Sequence, residues 1–215
     1  MLNVVLIGPP GVGKGTQAGI LAKRFEMDHI STGDMLRAAV RSGSELGKQV
    51  EAVLAAGNLV SDDLMVALIR ERLEGDAADT GWLLDGFPRT VAQAEALKEL
   101  LDELDQTIHA VVEMTVPDEV LVGRLTGRLT CRACGASTHR SRVEEGEQSP
   151  CPDCGERELY QREDDTETTV RARLEVYRQS TDPVVEVLGR HYPLRKVSGD
   201  GTPREVAERL NGVLG

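Results

Sequence analysis

The chain has 215 residues, 40% of them apolar but only 3% aromatic, and 36 acidic side chains against 25 basic ones give a formal net charge of −11. That length suits one sizeable core, necessarily aliphatic, with room for small insertions. The acidity excludes a broad duplex nucleic-acid surface, which needs a basic face, and no apolar run approaches the roughly 20 residues that cross a membrane.

The chain enters its first strand without a charged leader and apolar signal region, so a cytoplasmic, reducing setting is expected. Leu2 to Ile7 reads as a buried strand. Gly8-Pro9-Pro10-Gly11-Val12-Gly13-Lys14-Gly15-Thr16 then turns through glycines into a helix starting near Lys14. This is the strand–loop–helix context of a phosphate-binding loop. Glycines let backbone N–H groups approach phosphates, the new helix turns its positive end to the same anion, and Lys14 adds a cation. The general pattern places Ser or Thr after the lysine as a magnesium ligand; here Gly15 fills that slot and Thr16 follows. Ile20, Leu21 and Phe25 are the expected core contacts of this helix, and His29 a strand-edge side chain of a short second strand.

Ser31 to Arg41 and Glu45 to Ala56 read as a helix pair closed by Gly57-Asn58-Leu59-Val60. Its apolar content is modest, so residues 31–60 read as an insertion. Ser61-Asp62-Asp63 opens the next helix with a capping residue and first-turn acids, and Leu64, Leu68 and Leu73 mark its expected buried side. Trp82 to Asp85 is an apolar run ending in a carboxylate. Strand C-termini line the ligand crevice of a parallel sheet, so Asp85 is expected beside the phosphate loop, holding magnesium through water. Gly86 permits a tight turn, and Arg89 then points into the cleft, unless it is the solvated arginine of a surface turn. Val91 to Leu104 forms an amphipathic helix with Gln93 on its first turn, and Ala110 to Met114 a further strand. Pro117 starts a helix on which Arg124 and Arg128 lie four apart. Like charges at that spacing call for a negative partner, or else form a solvated face.

Cys131-Arg132-Ala133-Cys134 and Cys151-Pro152-Asp153-Cys154 contain all four cysteines, sixteen residues apart. Two such knuckles facing each other make a tetrahedral four-thiolate site for structural zinc; disulfides are the alternative, disfavoured in a reducing setting. The polar segment between them has too little to bury to fold without metal. His139 reads as a surface residue. Glu167 to Gly189 reads as a long helix with Val170, Leu174, Tyr177, Val184 and Leu188 on one stripe, Arg173 on another side, and Pro183 bending or splitting it. Leu194 to Val197 is a last strand and Pro203 to Leu214 a closing helix.

Alternating strands and helices imply an α/β fold with a parallel sheet, interrupted near 31–60 and 127–165. Arg37, Arg89, Arg124, Arg128, Arg162 and Arg173 are expected around the loop, where an acidic protein gathers cations to bind several phosphates. Phosphoryl transfer needs positioning and charge stabilisation more than acid–base groups.

In these motifs the chain resembles adenylate kinases of the long form, with a metal-bearing lid. The loop with its glycine after the lysine, Ser31-Thr32-Gly33-Asp34-Met35-Leu36-Arg37, Leu84-Asp85-Gly86-Phe87-Pro88-Arg89-Thr90, Gly127-Arg128, Arg162…Asp164-Asp165 and Arg171-Ala172-Arg173-Leu174 occur in that order. The resemblance implies a P-loop NTPase-like core (1–30, 61–126 and 166–215) with two mobile insertions, 31–60 for the monophosphate and 127–165 as zinc lid. It implies ATP + AMP ⇌ 2 ADP with Mg2+, serving adenine nucleotide balance, in a cytoplasmic monomer. ATP would lie on Gly11, Val12, Gly13, Lys14, Gly15 and Thr16, with Arg124 and Arg128 from the lid base and Ser137, Thr138 and Gly201 over its nucleoside. AMP would lie against Thr32, Arg37, Asn58, Leu59, Val60, Gly86, Phe87, Pro88, Arg89 and Gln93, with Arg162 and Arg173 across the transferring phosphoryl group. Thr32, where related kinases often carry Ala, favours AMP over pyrimidine monophosphates. Thr138 stands where relatives often place an aromatic that helps cover the donor adenine. A kinase for another monophosphate, or a P-loop module whose zinc knuckles contact nucleic acid, are the rival readings.

Overall fold

The computed structural model describes residues 1–74 and 80–215. Its centre is a five-stranded parallel sheet in the order β2-β3-β1-β4-β8, formed by Val4–Ile7 (β1), Asp28–Ser31 (β2), Trp82–Asp85 (β3), Ala110–Thr115 (β4) and Leu194–Ser198 (β8). The middle strands are apolar throughout because helices cover both faces. Val5 pairs with Leu84 on one side and Val111 on the other. Alternation along each strand then divides the core into two layers. Val5, Ile7, Leu84 and Val111 pack with Asp62–Glu74 (α4), Val91–Glu103 (α5) and Asp182–Gly189 (α8). Val4, Leu6, Leu83, Val112 and Met114 pack with Lys14–Phe25 (α1), Asp118–Thr126 (α6), Glu167–Ser180 (α7) and Pro203–Leu214 (α9).

Local chemistry sets the helix ends. Thr90 accepts from the Gln93 amide to start α5, and Thr202 with Glu205 forms a capping box on α9. Pro183 splits the long helical stretch: α7 ends at Ser180, and the proline takes the first turn of α8, where its missing N–H has no partner to lose.

Several expectations need correction. Leu21 is fully buried, but Ile20 is 37% exposed because it faces the open cleft. In α4 the buried side is Met65, Ile69 and Leu73; Leu64 and Leu68 pack on its flank. Arg124 and Arg128 do not share a helix face. Helix α6 stops at Thr126, Gly127 caps it, and Arg128 opens β5 (Arg128–Cys131). Thr32–Arg41 (α2) and Glu45–Ala55 (α3) bury Leu36 and Val50 in continuity with the main core, so this pair is less detached than its composition implies.

Strand β5 belongs to a second, antiparallel sheet with Ser137–His139 (β6) and Leu159–Tyr160 (β7). Its apolar cluster is Leu129, Cys131, Cys151 and Leu159, with Ala136 and Val143 against it. Among the described residues, no helix is long and apolar enough to cross a membrane.

Helices α2 and α3 meet at Gly47, where an added Cβ would stand 2.1 Å from the Ala39 carbonyl oxygen. Backbone cannot yield as a flexible side chain does. Gly47→Ala should therefore destabilise the pair by about 1–3 kcal/mol, read as faster hydrogen exchange in α2 and α3 than in the wild type. Unchanged exchange there would show that the helices separate freely.

Candidate active site

The cleft opens where β1 and β3 end, at the carboxyl edge of the sheet, as parallel sheets with helical crossovers dictate. The loop from Gly8 to Gly13 is held tightly from below. A Cβ on Gly11, whose φ is +84°, would lie 2.8 Å from Leu125 Cγ, so only glycine fits. Helix α1 begins at Lys14 behind Gly13, with no side chain capping it. Its first-turn N–H groups are thus left to the cleft.

Lys14 donates from Nζ to the Gly8 and Pro9 carbonyls, at 2.6 and 3.1 Å. Desolvation pushes its pKa down to about 8; Asp85 opposes this, while Arg89, Arg173 and Arg128 add to it. A Cβ on Gly15 would meet Asp85 Oδ2 at 3.4 Å, so the missing Ser/Thr after the lysine leaves room beside that carboxylate. Asp85 is 8% exposed. His29 lies on the edge strand, as expected, but turns inward, with Nε2 3.7 Å from Asp85 Oδ2.

A cleft of about 850 Å³ is lined by Gly11, Val12, Gly13, Lys14, Gly15, Thr16, Asp85, Gly86, Pro88, Ser137, Thr138, Gly201 and all six expected arginines: Arg37, Arg89, Arg124, Arg128, Arg162 and Arg173. Each arginine is tethered. Arg124 donates to the Val12 and Gly199 carbonyls at 3.2 and 3.1 Å. Arg128 grips Asp165 through two hydrogen bonds of 2.7 and 2.6 Å. Arg173 pairs with Asp164 at 2.7 Å, Arg162 donates to Thr130 Oγ1 at 2.9 Å, Arg89 to the Gly86 carbonyl at 2.6 Å, and Arg37 to Asp34 at 2.7 Å. Burial and then the repulsion of Arg173 lower Arg89 to about 10; burial, Arg128 and Arg37 do the same for Arg162. Such strained cations favour an incoming polyanion.

A smaller recess of about 60 Å³ adjoins it, lined by Thr32, Asn58, Leu59, Val60, Gln93, Gly86, Arg37 and Arg89 among others. Thr32 Oγ1 donates to the Gly86 carbonyl at 2.9 Å. Gln93 accepts from the Arg89 amide at 2.8 Å and donates to Asp62 Oδ1 at 2.7 Å. Asp62 thus fixes the floor of the recess, although in sequence it resembles an ordinary first-turn acid. Thr181 is another residue the sequence did not single out, and it donates to the Arg89 carbonyl at 2.9 Å. Phe87 lines neither cavity: its side chain is 1% exposed in the main core. On the lid wall His139, Ser141 and Arg142 join Ser137 and Thr138. His139 is more than a surface residue. It is half-buried over Gly127, where a Cβ would come within 2.1 Å of its Nε2.

The four cysteine sulfurs lie within 4.8 Å of one another. The Gly135 amide returns to the Cys131 carbonyl and the Gly155 amide to the Cys151 carbonyl, each at 2.9 Å, closing two matching knuckles. Cys131 approaches Cys154, and Cys134 approaches Cys151, at 3.7 Å. Four thiolate donors around one centre fit a structural zinc site with no position open to substrate.

The family model described as adenylate kinase matches residues 6–192. The chain is 44% identical over 214 residues to an adenylate kinase of Syntrophobacter fumaroxidans, covering 100% of both chains. It is 44% identical over 213 residues to one from Archaeoglobus fulgidus, covering 99% of this chain and 98% of the relative. A third, from Desulforudis audaxviator, is 45% identical over 214 residues and covered in full, as is this chain.

Two outcomes are expected. An anion beside Lys14 raises its pKa, so binding of inorganic triphosphate should take up more protons in the wild type than in Lys14→Met as pH rises through about 8, with the difference shrinking toward lower pH, where Lys14 is already charged. Calorimetry in buffers of different ionisation enthalpy reads the difference. Purified protein should contain about one zinc per chain, and Cys151→Ser should lose the metal and melt at a lower temperature; equal melting would deny the zinc a structural role.

Proposed function

The chain belongs to the adenylate kinase family, which transfers the γ-phosphoryl group of MgATP reversibly to AMP to give two ADP, and on that premise we propose the following division of labour among its residues. The observation that carries it is the convergence of Lys14 and six arginines on one cleft in a protein of net charge −11. ATP phosphates lie on the amides of Gly11 to Thr16, and Lys14 exchanges the Gly8 and Pro9 carbonyls for phosphate oxygens. Arg124 and Arg128 engage the donor from the lid base, and Ser137, Thr138 and Gly201 face its nucleoside. AMP occupies the recess of Thr32, Asn58 to Val60, Gly86 and Gln93, its phosphate met by Arg37 and Arg89. Arg162 and Arg173 lie across the group in flight. Asp85 holds magnesium through water, and that ion when bound neutralises phosphate charge.

Thr32 spends its hydroxyl proton on Gly86. It therefore offers the recess an acceptor, which suits the exocyclic amine of adenine. The Phe87 side chain shapes the turn from the core side, which leaves its backbone for AMP. Positioning and charge stabilisation do the catalysis, so the site needs no acid–base dyad. It does need to exclude water, an acceptor far more abundant than AMP. Residues 127–165 close as a lid and 31–60 as a second flap, over a core of 1–30, 61–126 and 166–215. The lid's separate sheet and its own apolar cluster support this division. We further propose a monomer, since every cation the reaction uses comes from one chain, and a cytoplasmic setting, where the four free cysteines stay reduced.

A coupled assay for ADP formed from ATP plus AMP tests the reading directly. Faster turnover with UMP or GMP than with AMP would overturn the choice of acceptor. Arg89→Ala should lose on the order of a thousandfold in rate, as other phosphoryl-stabilising arginines do; a loss below about tenfold would remove Arg89 from that role.

A further inference from the structure

We propose that Asp62 is a specificity-determining residue: from the floor of the smaller recess it fixes the direction of the Gln93 amide, and so makes the enzyme accept AMP over the monophosphates of oxopurines. The proposal rests on the reading of AMP as acceptor given above and deepens it, naming a residue that positions a base contact without touching the base.

Asp62 opens α4, where an acid ordinarily turns to the amides of its own first turn. This one reaches across to α5 instead. Its Oδ1 accepts from Gln93 Nε2 at 2.7 Å and its Oδ2 from Thr90 Oγ1 at 3.1 Å. Thr90 in turn caps α5, accepting from the backbone N–H of Gln93 at 3.1 Å. Gln93 is 1% exposed, yet it lines the recess with Thr32, Asn58 and Gly86.

A side-chain amide carries an acceptor on one arm and two donors on the other, and in a buried site its direction has to be imposed. Here it is imposed twice. The backbone N–H of Arg89 can only donate, and at 2.8 Å it demands Oε1. The Asp62 carboxylate can only accept, and it demands Nε2. Each bond uses half of what its arm offers, so one lone pair of Oε1 and one proton of Nε2 remain. Toward the recess Gln93 therefore shows an acceptor beside a donor. Adenine is the complement: an exocyclic amine that donates and, beside it, a bare ring nitrogen that accepts. Hypoxanthine and guanine carry the reverse, a carbonyl and a protonated ring nitrogen. A Gln93 amide turned over would suit them. Asp62 opposes that turn with charge, since it would set Oε1 against a carboxylate oxygen.

AMP and inosine monophosphate (IMP) share ribose and phosphate and differ only at this edge, so the ratio of their kcat/KM values isolates it. Asparagine has the shape of aspartate but can donate as well as accept. Asp62→Asn should lower the AMP:IMP ratio by about tenfold to a hundredfold, with KM for ATP unchanged. Thr90→Val loosens the same helix start but leaves the bond between Gln93 and Asp62, so it should keep the wild-type ratio while melting at a lower temperature. Asp62→Asn combined with Gln93→Glu reverses the hydrogen bond: the asparagine donates, and the new glutamate offers the recess acceptors only. That double variant should prefer IMP. An equal loss with AMP and IMP in Asp62→Asn, or the same fall of the ratio in Thr90→Val, would make Asp62 a structural residue and overturn the proposal. An unchanged ratio in Asp62→Asn, or a double variant that still prefers AMP, would overturn it too. Failure of the wild type to form ADP from ATP and AMP would instead strike the underlying reading.

Discussion

A carboxylate with no exposed surface, Asp165, holds the two halves of the cleft in register. Arg128 reaches it from the first residue of the lid strand with two short hydrogen bonds, and Arg173 reaches it from α7 at 3.5 Å. Lid base, the turn Glu163–Asp165 and core helix thus meet on one negative charge. Breaking a buried pair of this kind costs about 3–5 kcal/mol, because the surviving charges stay desolvated and uncompensated. Asp165, with Asp164 beside it on Arg173, is what lets the crowded guanidinium groups at the lid base coexist. The same acid fixes β5 against α7 where the small sheet joins the core.

Three of the other cations are oriented by backbone carbonyls, while Arg37 pairs with Asp34 and Arg162 donates to the Thr130 hydroxyl. Lys14 rests on Gly8 and Pro9, Arg124 on Val12 and Gly199, and Arg89 on Gly86. A carbonyl is a weaker partner than a carboxylate. It orients the cation in the ligand-free protein yet yields to a phosphate oxygen, which a carboxylate would contest. The depressed pKa values of Lys14 and Arg89 record the same economy: both groups are desolvated and under-compensated before any phosphate arrives. Preorganised charge of this sort does not have to be reoriented as charge develops on the transferring group.

Much of this was legible in the chain itself. The glycine loop before a helix, the apolar run ending in Asp85 and the paired knuckles each carry a spacing that only a few structures satisfy, and the alternation of strands and helices implied the parallel sheet, though not its strand order. What failed to read depended on contacts distant in sequence. Arg124 and Arg128 are four apart, but Gly127 ends the helix between them, and glycine alone does not say where a helix stops. Ile20 has the apolarity of a core residue and faces the cleft; His139 has the polarity of a surface residue and seats the lid. Asp62 looks like a helix-start acid until Gln93 and Thr90 are seen to converge on it from thirty residues away. Phe87 sits inside an informative motif, yet its side chain belongs to the core. In each case tertiary packing assigned the role and composition was silent.

The lid poses a different physical problem from the core. Its apolar cluster has four buried members, and two of them, Cys131 and Cys151, are among the four thiolates that face one another. Core and metal site are therefore one object, so the lid cannot lose the ion and keep the packing. Leu129 and Leu159 alone bury far too little to offset the chain entropy of a segment of nearly forty residues. With zinc bound, the knuckles fix β5, β6 and β7 as one body, and His139 packs on Gly127 where that body joins α6. Under the proposed division, a lid built this way is stiff within itself. The closure proposed above would then move Arg128 and the wall of Ser137 and Thr138 as one unit, without reordering either.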